Sequence, residues 1–117
     1  MVLKEKSLDF AVRIVKLYKL LREKKSEYVM SKQLLRSGTS IGANIRESKH
    51  AESTLDFIHK LAISQKEASE TEYWLILLHR TEYISKAEFN SIVSDLSELQ
   101  KMVSASIVTM KKKLKKT

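Results

Sequence analysis

Helix-breaking residues are almost absent from this chain of 117 residues. It contains no proline and only two glycines, Gly38 and Gly42. Proline disrupts the hydrogen bonds inside a helix, and each interior glycine costs about 1 kcal/mol relative to alanine. A chain that lacks both over most of its length can therefore form long uninterrupted helices. Apolar residues recur at the 3.6-residue helical spacing in every long segment, so the sequence predicts an all-α fold.

Four amphipathic segments follow from this periodicity. Their ranges are about 3–24, 27–50, 54–80 and 86–115. Helix three has a start signal in Ser53 and Asp56, and helix four has one in Ser85 and Glu88, because each pair has the spacing of a capping box. At 1.5 Å per residue these helices are about 30 to 45 Å long. Short links between such helices predict an antiparallel up-down-up-down four-helix bundle, with residues 1–117 as a single domain.

Both glycines lie in the segment LLRSGTSIGANIRES, residues 34–48. A phosphate-binding loop would need a preceding strand and a Gly-Lys-Ser/Thr ending, whereas Gly42 is followed by Ala43 and Asn44. Inside a helix, the two glycines lie one turn apart on one face, where they let another helix approach closely. We therefore predict that Gly38 and Gly42 serve close helix packing, and that Gly42→Leu disrupts folding or assembly.

A polar stripe runs beside the glycines on helix two. It is either a solvated face or a buried hydrogen-bonded network between helices, in which Arg36 pairs with acidic residues. The stripe has few charges and short side chains, which favours the network. The predicted network consists of Gln33, Arg36, Ser40, Asn44, Glu47, Glu67 and Glu70.

The net charge of +8 is concentrated at the two ends of the chain. Residues 1–25 carry a net charge of +5 and residues 82–117 carry +3, while the part between them is neutral overall. A block of lysines repels itself, and a polyanion would relieve that repulsion while releasing counterions. The alternative is a solubilising tail that also suits the helix dipole. The predicted nucleic-acid contacts are Lys111, Lys112, Lys113, Lys115 and Lys116, with Arg13, Lys16 and Lys19 as a second strip.

Other classes of function find little support in the sequence. Without cysteine there is no disulfide and no thiolate zinc site. No segment has the apolar length of a signal peptide or a membrane span, so we expect a cytoplasmic protein without a membrane partner. Serines have no evident catalytic base, and we predict neither an enzyme nor a cofactor. One remote alternative is a di-metal site, because two carboxylate–histidine pairs have the spacing of di-iron bundles. These pairs are Glu47 with His50 and Asp56 with His59.

The stretch from Gln33 to Glu47 resembles the signature of proteins encoded in intervening sequences of bacterial 23S ribosomal RNA genes. The family pattern is Gln-Leu-x-Arg-small-small-x-Ser-Ile-x-x-Asn-Ile-x-Glu. The matching residues are Gln33, Leu34, Arg36, Ser40, Ile41, Asn44, Ile45 and Glu47. A block in helix three is also similar to the family, at Asp56, Phe57, Leu61, Ala62, Ser64, Glu67 and Glu70. The chain departs from the family at Ser48, usually a glycine, and near Ser26, often a proline.

The resemblance implies an antiparallel four-helix bundle that has no enzymatic activity and forms a homo-oligomer. Related proteins form five-fold rings with a basic surface. They include the accessory protein of diversity-generating retroelements, which associates with a reverse transcriptase and nucleic acid. The expected function is therefore electrostatic binding of RNA or DNA by a homo-oligomer, with a pentamer as the expected ring. The alternative is a protein–protein interaction scaffold whose lysines only maintain solubility.

Overall fold

The computed structural model describes residues 2–116, which form four α-helices joined by short turns. These are α1 (Val2–Lys25), α2 (Met30–Ser48), α3 (Thr54–Arg80) and α4 (Lys86–Lys115). Each helix packs against the next, and α4 returns to pack against α1, while the diagonal pairs of the described helices do not pack. The predicted all-α, antiparallel four-helix bundle is therefore confirmed. The body measures 53 × 22 × 20 Å.

One apolar core runs along the axis of the bundle. Each helix contributes residues three or four positions apart, as expected when one stripe of an amphipathic helix faces its neighbours. The fully buried members with the largest side chains are Phe10, Ile14, Leu21, Leu34, Ile41, Ile45, Leu61, Leu75, Leu78, Leu96, Leu99 and Val103. Burial of one such side chain contributes about 1.5–3 kcal/mol, so this stripe supplies most of the stabilisation.

Two buried hydroxyl groups join α2 to α3. The Ser64 hydroxyl donates to the carbonyl oxygen of Ile41 at 3.0 Å, and the Thr71 hydroxyl donates to Ser37 Oγ at 3.0 Å. The Thr71 hydroxyl also bonds to the carbonyl oxygen of Glu67 in its own helix, but a shift of one helix along the other would leave the buried Ser64 hydroxyl without its partner, which costs free energy. These contacts therefore fix the register of α2 against α3.

The second helix begins later than the sequence pattern indicates, at Met30 instead of about residue 27. Ser26 has a positive φ of 52°, which ends α1 and turns the chain. The buried carboxylate of Glu27 then accepts hydrogen bonds from the backbone N–H groups of Val29, Met30 and Ser31, at 2.7 to 2.9 Å. These are donors that the start of a helix leaves without partners. Glu27 thus caps α2 from outside it, and the apolar periodicity does not report this.

The starts of α3 and α4 follow their capping residues. Ser85 and Glu88 form a complete capping box. Ser53 accepts from the backbone N–H of Asp56, but the carboxylate of Asp56 accepts from the backbone N–H of Glu52 and not from that of Ser53. Helix three therefore begins with half of the expected box.

The two glycines lie where α1 packs closely against α2. A Cβ atom on Gly38 would be 2.8 Å from Cγ1 and 2.9 Å from Cγ2 of Ile14, a fully buried residue. A Cβ atom on Gly42 would be 3.3 Å from both the carbonyl oxygen and the hydroxyl of Ser7. Neither glycine has a positive φ, so both are helical and neither forms a turn. Space for the facing helix, and not backbone conformation, accounts for glycine at both positions.

We expect Gly38→Ala to lower the free energy of unfolding by about 1–3 kcal/mol, because the new methyl group overlaps Ile14 in a packed core. This loss occurs although alanine is the better helix former by about 1 kcal/mol. Urea denaturation of Gly38→Ala, Ile14→Ala and the double variant gives the coupling between the two positions. The double variant should lose less than the sum of the single losses.

Gly42→Ala is the matched control, because its Cβ would meet Ser7 at a longer distance. It should cost less than Gly38→Ala. Stabilisation by Gly38→Ala, as helix propensity alone would give, would contradict the close-packing interpretation.

We expect Glu27→Gln to lower stability at pH 7 by about 1–2 kcal/mol, because charge-assisted capping bonds are lost. Burial alone would raise the pKa of Glu27, but the hydrogen bonds from Met30, Ser31 and Val29 bring it below its ordinary value. A carboxyl group with a depressed pKa stabilises the fold above its unfolded-state pKa, and this contribution is lost as the pH falls through the folded-state pKa.

Denaturation at pH 7 and at about pH 3 should therefore show a larger acid-induced loss in the wild type than in Glu27→Gln. Equal losses in the two proteins would show that this carboxylate does not stabilise the turn.

Candidate nucleic-acid interface

The polar stripe of α2 is only partly the network that the sequence favours. Arg36 pairs with Glu67 at 3.1 Å and with Glu70, and Glu70 also accepts from the Trp74 indole at 3.2 Å. The Arg36 side chain is nevertheless 50% exposed, so this cluster lies at the surface. The prediction of a buried network is therefore wrong in its location, although Arg36, Glu67 and Glu70 do come together.

The other members of the stripe bond elsewhere. The Ser40 hydroxyl donates to the carbonyl oxygen of Arg36, and the Asn44 amide donates to that of Ser40, so both bond within α2. Glu47 is exposed and pairs with Lys60 at 3.6 Å, and Gln33 is exposed. Polar side chains that bond to their own helix make no link between helices.

The ion pair between α2 and α3 shifts the pKa values of Arg36 and Glu70. The hydrogen bond from Arg36, followed by the one from Trp74, lowers the pKa of Glu70 below its ordinary value. The same bond to Glu70 raises the pKa of Arg36. Both groups stay charged over the whole physiological range, so the cluster is a structural contact and not a proton donor or acceptor for chemistry.

The residues of the di-metal alternative do not form a ligand set. Among residues 2–116, no three His, Asp or Glu side chains come close enough together to hold a metal ion. Glu47 is paired with Lys60, and Asp56 caps a backbone N–H group.

The predicted lysines of the C-terminal segment lie at the end of α4. Lys111, Lys112, Lys113, Lys115 and Lys116 are all exposed. In an antiparallel bundle, the end of α4 shares one pole with the start of α1 and the end of α2. The ion pair between Lys6 and Glu98 places the middle of α4 beside the start of α1, so the second half of α4 extends past that start. The lysines therefore extend the pole at which α1 begins.

Three further cations meet at this pole, and neither helical periodicity nor a block of lysines in the sequence indicates them. Lys4 of α1 lies close to Lys49 and to Arg46 of α2, and none of the three takes part in an ion pair among the described residues. Repulsion from Lys49, and then from Arg46, lowers the pKa of Lys4. We call Lys4, Arg46, Lys49 and the five lysines of residues 111–116 the basic pole.

A groove between α1 and α2 opens next to this pole. It has a volume of about 310 Å³, with Lys4 and Arg46 among its lining residues. Its other walls are Leu8 and smaller residues, including Ala11, Gly42 and Ala43. The same small side chains that let the helices approach leave this surface shallow. A flexible polyanion could therefore lie against it without steric conflict.

The three residues of the second predicted strip differ in whether their charge is paired. Arg13 donates to the carboxylate of Asp95 at 2.6 Å and to the hydroxyl and carbonyl oxygens of Ser91, so its charge is already compensated by α4. Lys16 and Lys19 are exposed and form no ion pair among the described residues. Of the three residues, Lys16 and Lys19 remain available to an anionic partner.

An apolar patch accompanies the cations on α1. The side chains of Leu8 and Val12 are one turn apart, and these residues are 54% and 45% exposed. Single exposed apolar residues are common on protein surfaces, but neighbouring ones are typical of interaction sites.

No helix of the described residues has the length and apolar character needed to cross a membrane.

The fold and this surface together define a class of small helical bundles with one strongly basic pole. Residues 1–105 match the sequence profile of the family described as "23S rRNA-intervening sequence protein". The chain belongs to this family, and the resemblance seen in α2 is confirmed. The match ends before residues 111–116, whereas Lys4, Arg46 and Lys49 lie inside it.

A solved structure supports the same assignment. It is the crystal structure of a protein of unknown function from the S23 ribosomal protein family of Bacteroides thetaiotaomicron VPI-5482. The two sequences are 60% identical, and the alignment covers 90% of this chain and 97% of the other, with a TM-score of 0.89. A comparison with curated proteins finds no match. Neither the family nor this relative is described by an enzymatic activity.

We expect Lys49→Gln to raise the thermal unfolding midpoint at low salt, because it removes the largest source of repulsion on Lys4. The gain should shrink at about 1 M salt, where the Debye length is about 3 Å. Lys101→Gln, at an exposed position outside the basic pole, is the matched control. An equal shift in both variants, or none in Lys49→Gln, would contradict the idea that these cations are held together against repulsion.

Proposed function

We propose that this protein is a non-enzymatic, oligomeric nucleic-acid-binding bundle that acts in the cytoplasm and contacts the phosphates of RNA or DNA through the basic pole. The main support is that cations from three helix ends lie at one pole of the bundle, and none of them takes part in an ion pair among the described residues. Such an arrangement is unfavourable in the free protein, and phosphates relieve it while counterions are released.

Several basic residues elsewhere on the bundle are already paired with acidic ones. Arg13, Arg36 and Lys60 each pair with a carboxylate of a neighbouring helix. Surface pairs of this kind are worth about 0–1 kcal/mol each and serve packing. The cations of the basic pole, like Lys16 and Lys19, take part in no such pair among the described residues. An unpaired charge is the one that can exchange its counterions for phosphate.

The apolar patch at Leu8 and Val12 supports a contact between copies of the chain. We propose a homo-oligomer, with the five-fold ring of related proteins as the expected assembly. A ring repeats each basic pole around an axis, so several weak phosphate contacts would act on one strand. The mass of the native assembly in solution distinguishes a ring from a monomer. A protein–protein scaffold is the alternative function if the patch is used and nucleic acid is not bound.

The dependence of affinity on salt concentration tests the electrostatic proposal. For single strands the slope of log K against log salt is about −0.7 per phosphate contact. Replacing the five lysines of residues 111–116 by glutamine should flatten that slope by as much as about 3.5 units. The double variant Lys4→Gln/Lys49→Gln should flatten it by as much as about 1.4 units. Fluorescence anisotropy with a labelled oligonucleotide measures both effects.

Lys66→Gln/Lys101→Gln is the matched control, because it removes two exposed charges outside the basic pole. Its slope should stay close to that of the wild type. Failure of the wild type to bind RNA or DNA at low salt would overturn the proposed function. A slope reduced equally by the control and by Lys4→Gln/Lys49→Gln would remove the basic pole from the mechanism.

A further inference from the structure

Two tyrosine rings flank an arginine side chain near the turn between α1 and α2. The Arg22 guanidinium is 5.4 Å from the centre of the Tyr18 ring and 5.1 Å from the centre of the Tyr28 ring. Both distances are within the range of cation–π contacts. Tyr28 is 51% exposed, so Arg22 supports the ring while much of it remains open to solvent.

The turn that carries Tyr28 is held rigidly. Glu27 lies directly before Tyr28, and its buried carboxylate accepts three backbone hydrogen bonds from residues 29–31. The backbone N–H of Glu27 donates to the carbonyl oxygen of Leu21, and the Ser31 hydroxyl donates to the carbonyl oxygen of Glu27. A binding group on a rigid turn loses little conformational entropy when its ligand arrives.

The cap itself does not require an aromatic residue at position 28. The hydrogen bonds that hold the turn come from Glu27 and Ser31 and from backbone groups, so a small polar residue could replace Tyr28 without loss of the cap. The next residue, Val29, is itself 75% exposed. The tyrosine therefore leaves an aromatic surface open at a rigid site.

The segment that carries this ring has a net positive charge, because residues 19–32 contain five basic and two acidic side chains. Lys24 and Lys32 flank the turn in sequence, both are exposed, and no ion pair among residues 2–116 involves either of them. An aromatic face beside unpaired cations matches a nucleotide, whose base stacks while its phosphate meets the charge. Duplexes keep their bases stacked inside, so only an unpaired base can use such a face.

We propose that Tyr28, supported by Arg22, is a stacking platform for an unpaired nucleobase, and that the preferred ligand of this protein is single-stranded RNA or DNA. This inference rests on the proposed function and names the class of its ligand. Arg22 lies 18 residues after Lys4 on α1, or about 27 Å at 1.5 Å per residue. At the 3.4 Å spacing of stacked nucleotides, about eight of them cover that length. Lys16 and Lys19 lie on the stretch of α1 between the two sites.

The test compares the affinity of variants for a labelled strand of about 20 nucleotides, well above the length of the proposed track, and for the same strand in a duplex. Tyr28→Leu keeps an apolar side chain of similar exposure but removes the ring. It should weaken single-strand binding at least about fivefold, which corresponds to the lower end of stacking energies. Duplex affinity and the salt slope should not change, because no charge is removed.

Two further variants make the result specific. Tyr28→Phe keeps the ring and should bind like the wild type. Tyr73→Leu removes another exposed tyrosine, on α3, and should leave single-strand affinity unchanged. Thermal unfolding of each variant verifies that the bundle is intact.

The outcomes separate this inference from the proposed function. Nucleic-acid binding by the wild type, with single-strand affinity unaffected by Tyr28→Leu, overturns the platform and leaves the basic pole standing. Equal losses for single strand and duplex also overturn it, because they indicate a surface role without base stacking. No binding of either form by the wild type overturns the proposed function and the platform together.

Discussion

The close approach of α1 to α2 is the contact on which the rest of this structure depends. It requires an absent side chain at Gly38, because the fully buried Ile14 occupies that space. With these two helices close together, Lys4 and Arg46 meet at the pole where α1 begins, and both line the groove beside it. The turn between the same helices presents Tyr28 at their other end. Packing of one helix pair therefore determines where both proposed binding features lie.

Some charged residues of this bundle form ion pairs between helices, whereas others lie beside residues of the same charge. Pairs such as Arg13 with Asp95 join neighbouring helices, and they contribute little because they are exposed to water. The cations of the basic pole do the opposite, since Lys4 is repelled by Lys49 and Arg46. A protein selected only for stability would separate such charges or pair them. Under the proposed function, the phosphates of a bound polyanion relieve this repulsion.

Fold class and most helix boundaries could be predicted from the sequence, because apolar spacing and the side-chain cap at Ser85 are local signals. The start of α2 could not, since Glu27 caps it from outside the helix and apolar periodicity does not detect that contact. The surface location of the Arg36 cluster could not be predicted either, because the spacing of residues along a helix does not give their exposure. Lys4 and Lys49 are 45 positions apart in sequence, and only the bundle topology brings them together. The up-down-up-down topology that the sequence predicts places the start of α1 and the end of α2 at the same pole. Basic residues at these two helix ends were therefore the signal that could have revealed the basic pole.

In the proposed complex, a nucleic-acid strand runs along α1 from the basic pole to Tyr28. Photocrosslinking of a single-stranded oligonucleotide to the native protein, with the crosslinked residues mapped by mass spectrometry, tests this path. We expect crosslinks at Tyr28 and in the peptides that contain Lys4, Lys49 and Lys16, and none at Tyr73 on α3. Crosslinks concentrated on α3, or spread evenly over the four helices, would contradict it.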